Sequence, residues 1–189
     1  MSTQSEYFIN NHNTDIKNII CLPVYMIEDY DIWMPKEIIE QPHIAISIRS
    51  PFVEKAELPK VNTRKDTLFL EVTDVNSQLK KDLLEEVNYD EKELFSKYKT
   101  LKKHFFSPSH AKEICDFLEK YKDIKIILVN CEAGVSRSAG LSKALEEYFN
   151  RETVKKYGNK FDNPNRYLPN DLFYKFTKQE LEERFGQNV

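Results

Sequence analysis

Cys131 and Arg137 enclose five residues in the run Cys131-Glu132-Ala133-Gly134-Val135-Ser136-Arg137, and Ser138 follows at once. A loop of that length can wrap the backbone amides of Glu132, Ala133, Gly134, Val135, Ser136 and Arg137 around a tetrahedral oxyanion such as phosphate. Gly134 allows close backbone approach or a positive φ. The planar arginine fork matches two equatorial oxygens of a phosphoryl group. The same electropositive surroundings favour thiolate, the attacking form of cysteine. Cys131 is therefore a candidate nucleophile, Arg137 a phosphate clamp, and Ser138 a hydroxyl placed to donate to the sulfur. Cleaving a phosphate ester also needs a proton for the leaving oxygen, which a carboxylic acid held over the pocket supplies. Asp74 is the first choice, with Asp82 and Asp90 as rivals and a plain turn or N-cap role as the alternative for Asp74.

Such a loop needs a rigid support on each side. The apolar run IKIILVN before it reads as a buried strand and SAGLSKALEEYFN after it as a helix. The loop then sits at a strand's carboxyl end and a helix's N-terminus, where unpaired N–H groups and the helix dipole bind anions. Glycine is scarce, at four in the chain, yet Gly134 and Gly140 both fall within Cys131 to Gly140, which marks a backbone constraint. Further candidate strands are Asn18 to Val24, His43 to Arg49 and Asp66 to Val72, with Ile124 to Val129 before the loop. Asp74 should then lie on the same sheet edge as Cys131. Leu83, Leu84, Val87, Leu94, Phe95, Tyr98 and Leu101 recur at helical spacing and predict two helices within Leu79 to Lys103. Ser107-Pro108-Ser109 opens another helix, with an apolar stripe from Ala111 to Tyr121. A turn-rich segment spans Gly158 to Asn165, and a last helix is expected from about Asn170 to Phe185. Strands alternating with helices predict an α/β fold with a mostly parallel sheet.

The 189 residues, 40% hydrophobic and 31% charged, suit one domain, expected over residues 18–189 behind a flexible tail at 1–17. A net charge of −3 leaves no broad cationic surface for nucleic acid. The apolar runs are too short to cross a bilayer, and Met1 to Asn18 carries no export signal, so a cytoplasmic protein without membrane partners is expected. Three cysteines, Cys21, Cys115 and Cys131, cannot all pair, and their spacing fits no zinc site. Cys21 and Cys115 sit on apolar faces and read as core residues. No metal and no cofactor are assigned.

The run Val129-Asn130-Cys131-Glu132-Ala133-Gly134-Val135-Ser136-Arg137-Ser138 resembles the phosphate-binding signature of cysteine-dependent protein tyrosine phosphatases, most closely the small dual-specificity type. LFLEVTDV looks like that family's strand with the general acid, and SPSHAKEICDFLEKY like the helix before the signature strand. NPNRYL is similar to small phage and bacterial members, so the resemblance covers roughly Asn18 to Phe176. It implies a three-layer phosphatase fold and cofactor-free hydrolysis of phosphotyrosine through a cysteinyl-phosphate, with phosphoserine and phosphothreonine left open. The partner implied is a phosphorylated protein or peptide. Glu132 and Val135 stand where a phosphoinositide phosphatase of this family would carry lysines.

There are two departures from the family pattern. Asn130 replaces the histidine that usually precedes the cysteine, and Asp74 lies further ahead of Cys131 than the family's acid, an excess attributed to the helices between Leu79 and Lys103. Sulfur transfer and arsenate reduction are enzyme rivals; loop length disfavours the first, and the second needs a resolving thiol near Cys131. A pseudophosphatase that binds phosphorylated protein without turnover is the non-enzyme rival, motivated by Asn130.

Overall fold

The computed structural model of the chain describes residues 18–29, 36–98, 104–121, 123–149 and 168–186. Four aliphatic runs become strands: β1 Asn18–Pro23, β2 His43–Arg49, β3 Arg64–Glu71 and β4 Ile126–Cys131. All pair in parallel, in the order β1-β4-β2-β3. Parallel neighbours cannot be joined by tight turns; an irregular segment, residues 50–63, joins β2 to β3, and helices make the other crossovers. Two short ones, α1 Val24–Glu28 and α2 Lys36–Ile39, lie between β1 and β2. Between β3 and β4 run α3 Ser77–Glu85, α4 Glu91–Lys97 and α5 Pro108–Lys120, and after β4 come α6 Arg137–Phe149 and α7 Asp171–Phe185.

Alternation along the strands divides the apolar side chains between two faces. Ile19, Ile44, Ile46, Ile48, Ile127 and Val129 join the core built with α5, α6 and α7, where Phe173 is fully buried and stacks on Phe106 at 3.8 Å. Ile20, Leu22, Ala45, Ile126 and Leu128 join a second core under Met26 and Ile27 of α1 and Ile38 of α2. Each fully buried aliphatic side chain is worth about 1.5–3 kcal/mol of transfer free energy, so both faces hold the sheet. The result is the expected three-layer α/β arrangement. A third cluster, Val75, Val87, Leu94 and Phe105, anchors the α3–α4 excursion beside the main body.

Helix starts follow local chemistry. Asn76, Asp90 and Asn170 accept from backbone N–H groups in the first turns of α3, α4 and α7, and Pro108 opens α5. α1 and α2 were not expected, since five and four residues are too few to show a helical period. β4 also begins at Ile126 rather than Ile124 and ends on Cys131, so the candidate nucleophile is the last strand residue. The tail at 1–17, Leu101, the turn-rich segment 158–165 and NPNRYL apart from Leu168 lie outside the described residues. No helix among the described residues is long and apolar enough to cross a membrane.

Candidate active site

In a parallel sheet the carboxyl ends of all strands share one edge, and the central position of β4 puts Cys131 in its middle. Pro23 of β1 is in register with Cys131, and Ser47 of β2 with Asn130. Residues just past β2 and β3 therefore flank the loop that leaves β4.

The loop is hung from its surroundings by its carbonyl groups. Val24 N–H donates to Glu132 O at 3.3 Å, Leu168 N–H to Val135 O at 3.0 Å, and Asn170 and Gly140 N–H to Ser136 O at 3.0 and 2.8 Å. Cys21 Sγ lies 3.6 Å from Gly134 O. In a planar trans peptide the N–H points opposite to the carbonyl of the preceding residue. With these carbonyls turned to the framework, the N–H groups of Ala133, Val135, Ser136 and Arg137 turn the other way, as an amide cradle requires. Gly134 has φ +70°, and a Cβ there would lie 2.6 Å from Pro23 N, so the turn needs both the conformation and the missing side chain. At Gly140 a Cβ would meet Asn170 O at 2.3 Å, so α6 can approach the start of α7 only without one.

Cys131 is buried, with 2% exposure, and its Sγ lies 3.1 Å from Ser138 Oγ in the first turn of α6. Cys21 is buried, as its sequence context suggested, and donates to the same hydroxyl at 3.4 Å, so it also lies under the loop. A serine hydroxyl that accepts from one sulfur keeps its own hydrogen for the other. Asn130 faces the opposite side of the sheet and donates to Ser47 Oγ at 3.2 Å, tying β4 to β2.

Arg137 is 5% exposed and crosses to the strands beyond β4. Its Nη1 donates to Ser50 Oγ at 3.0 Å and to Val72 O at 2.9 Å, and its Nη2 pairs with Glu132 Oε2. Nε is buried and without a hydrogen-bond partner among the described residues, while Asp74 Oδ2 stands 3.9 Å from it. Asp74 Oδ1 accepts from Ser136 Oγ at 2.7 Å and Asn170 Nδ2 at 2.9 Å. The expected edge placement of Asp74 is thus what the fold produces. Its rivals are engaged elsewhere: Asp82 accepts from Gln78 within α3, and Asp90 caps α4.

Cys131, Asp74, Arg137 and Ser138 therefore meet at one sheet edge with the loop from Glu132 to Ser136. Sequence reasoning missed Ser50, the carbonyl of Val72, the carboxylate of Glu132 and Asn170 as members of the cluster. For Ser50 the available signal was a hydroxyl just past a strand on the same edge, and for Asn170 its N-cap position. Among the described residues no group of three His, Cys, Asp or Glu side chains could hold a metal ion.

No protein-family model matches the chain, and no curated protein does. Among solved structures it is similar to human tyrosine phosphatase-like serine/threonine/tyrosine-interacting protein, with 20% identity, 88% of this chain and 91% of that one covered, and a TM-score of 0.41. It is also similar to Tk-PTP in the active form, with 15% identity, 93% and 98% coverage, and a TM-score of 0.42.

Proposed function

We propose that this chain is a cysteine-dependent phosphatase acting on phosphotyrosine in proteins or peptides, with phosphoserine and phosphothreonine as further substrates to be tested. The observation that carries the reading is Arg137 Nε, a buried N–H with no hydrogen-bond acceptor among the described residues and Asp74 Oδ2 only at 3.9 Å, beside loop amides that face away from the framework. A buried donor left unpaired costs about 1–3 kcal/mol, and a phosphoryl oxygen is the acceptor that this charge and geometry suit. In the reaction Cys131 Sγ attacks phosphorus while Arg137 and the amides hold the equatorial oxygens. Ser138 stabilises the sulfur as nucleophile and as leaving group. Asp74 gives its proton to the departing oxygen, and in the second step takes one from the water that hydrolyses the cysteinyl-phosphate. The mechanism calls for no metal ion or organic cofactor.

A phosphoprotein-binding role without turnover is the second reading. It is favoured by the engagement of Asp74 Oδ1 with Ser136 and Asn170, a tie that must slacken for the acid to reach a leaving oxygen. Hydrolysis of p-nitrophenyl phosphate in the presence of a chelator decides between them. Turnover that disappears with Cys131→Ser supports the phosphatase. Phosphotyrosine-peptide binding without turnover supports the binding role, and neither result would leave the loop a structural turn.

A further inference from the structure

We propose that Glu132 is a positioning residue, whose carboxylate holds one edge of the Arg137 guanidinium so that the other edge is presented to an oxyanion. The inference rests on the phosphatase reading and adds a residue whose side chain need not touch the substrate.

The contacts form a closed ring. Glu132 Oε1 accepts from Ser50 N–H at 2.6 Å, Glu132 Oε2 pairs with Arg137 Nη2, and Arg137 Nη1 returns to Ser50 Oγ at 3.0 Å. Arginine has five N–H donors in a rigid fork. Both of those on Nη1 are used, by Ser50 Oγ and Val72 O, and Glu132 takes one from Nη2. The remaining two, on Nε and Nη2, make up the side of the fork away from Ser50. Since Ser50 binds both Glu132 and Nη1, Glu132 must approach on the Nη1–Nη2 side. Without its carboxylate, only the neutral Ser50 Oγ and Val72 O would hydrogen-bond the fork, with Asp74 Oδ2 left at 3.9 Å from Nε, and it could rotate about its last side-chain bonds.

Electrostatics agree with a permanent anion. Burial pushes the Glu132 carboxyl up, but hydrogen bonds from the Ser50 amide and its own amide, with the Arg137 charge, outweigh it and hold it below the usual carboxylate range. Glu132 is therefore ionised at neutral pH. It lies directly after the candidate nucleophile, so the backbone that carries the sulfur also sets the clamp. The same link runs to Ser50 past the end of β2, which fastens the loop to the neighbouring strand.

The test measures orthovanadate affinity of the full chain for wild type, Glu132→Gln, Arg137→Ala and the double variant, with the melting temperature recorded for each. A positioning carboxylate predicts that Glu132→Gln weakens orthovanadate about 10- to 100-fold and costs nothing further once Arg137 is gone, because its effect passes through that side chain. The same loss in both backgrounds would mark a general loop support and overturn the proposal. Unchanged affinity in Glu132→Gln overturns it too, while leaving the phosphatase reading intact. Tighter binding in that variant overturns it as well, since the carboxylate would then compete with the oxyanion. If wild type binds no orthovanadate, the phosphatase reading fails and this inference with it. Should Glu132→Gln not fold, Glu132→Asp replaces it, keeping the charge but retracting it by one methylene, with the same expectation in both backgrounds.

Discussion

Two cysteine–arginine neighbourhoods among the described residues differ in what surrounds the pair. Cys131 and Arg137 lie at the carboxyl edge of the sheet; Cys115 of α5 lies among helices, within the field of Arg184 of α7. Both thiols are buried. The Cys115 thiol is raised to about 12, chiefly by burial, with Arg184 pulling it down and Glu180, Asp116 and Glu119 adding to the rise. Arg184 is committed to those same three carboxylates, with Asp116 and Glu119 on Nη1 and Glu180 at 3.0 Å on Nη2. Arg137 takes one close carboxylate and two neutral oxygens and retains Nε. Both thiols belong to the same apolar cluster, but Cys131, at the end of β4, has the Ser138 hydroxyl at 3.1 Å. A cation near a thiol is thus not enough: a site needs polar company for the sulfur and unspent donors on the cation.

The largest effect should come from exchanging the nucleophile. Cys131→Ser is expected to lower turnover of p-nitrophenyl phosphate at least about 10³-fold while orthovanadate still binds. Cys115→Ser should leave the rate of the folded protein within about twofold. Equal losses from the two changes would erase the distinction between the neighbourhoods. On the arginine side, Arg137→Lys should cost about 10²–10³-fold in kcat/KM, because an ammonium cannot form the fork. Arg184→Lys should leave kcat/KM unchanged and move stability by no more than about 1 kcal/mol, as partly exposed ion pairs do.

Next in size is the acid. Asp74→Asn should slow phosphotyrosine-peptide hydrolysis about 10²-fold but affect p-nitrophenyl phosphate much less, since its phenol needs little protonation to leave. That leaving-group dependence appearing in Asp82→Asn or Asp90→Asn instead would transfer the role to α3 or the start of α4.

The smallest effect is a pH dependence of stability set by Cys115. Its folded thiol is raised to about 12, while an unfolded thiol loses its proton near ~8.5. Between those values the unfolded chain binds fewer protons, so stability falls as pH rises, with a slope approaching ~1.4 kcal/mol per pH unit. Urea midpoints measured from pH 8 to 10 should decline, and Cys115→Ala should flatten the decline. In the folded protein at pH 8, Cys115 should resist iodoacetamide, and its rapid labelling would contradict the burial argument.

Much of this was legible in the chain because it is local. Runs such as IKIILVN and HIAISIR signal strands through closely spaced aliphatic residues, Ser107-Pro108 signals a helix start through the fixed φ and missing N–H of proline, and Asn170 signals one through N–H groups that need acceptors. The spacing of Cys131, Gly134, Arg137 and Ser138 placed a loop with a defined backbone need between a strand and a helix. What only the tertiary structure decided is which distant groups arrive at that loop. The order β1-β4-β2-β3 brings Ser50, Val72 and Asp74 beside Arg137 and sets Cys21 beneath Ser138. It also separates Asp74 from Asp82 and Asp90, acidic residues close to it in the chain. These contacts join residues such as Ser50 and Arg137, 87 positions apart, and no periodicity or capping rule acts over that distance. They depend on which strands pair, and that follows from the burial of both sheet faces at once.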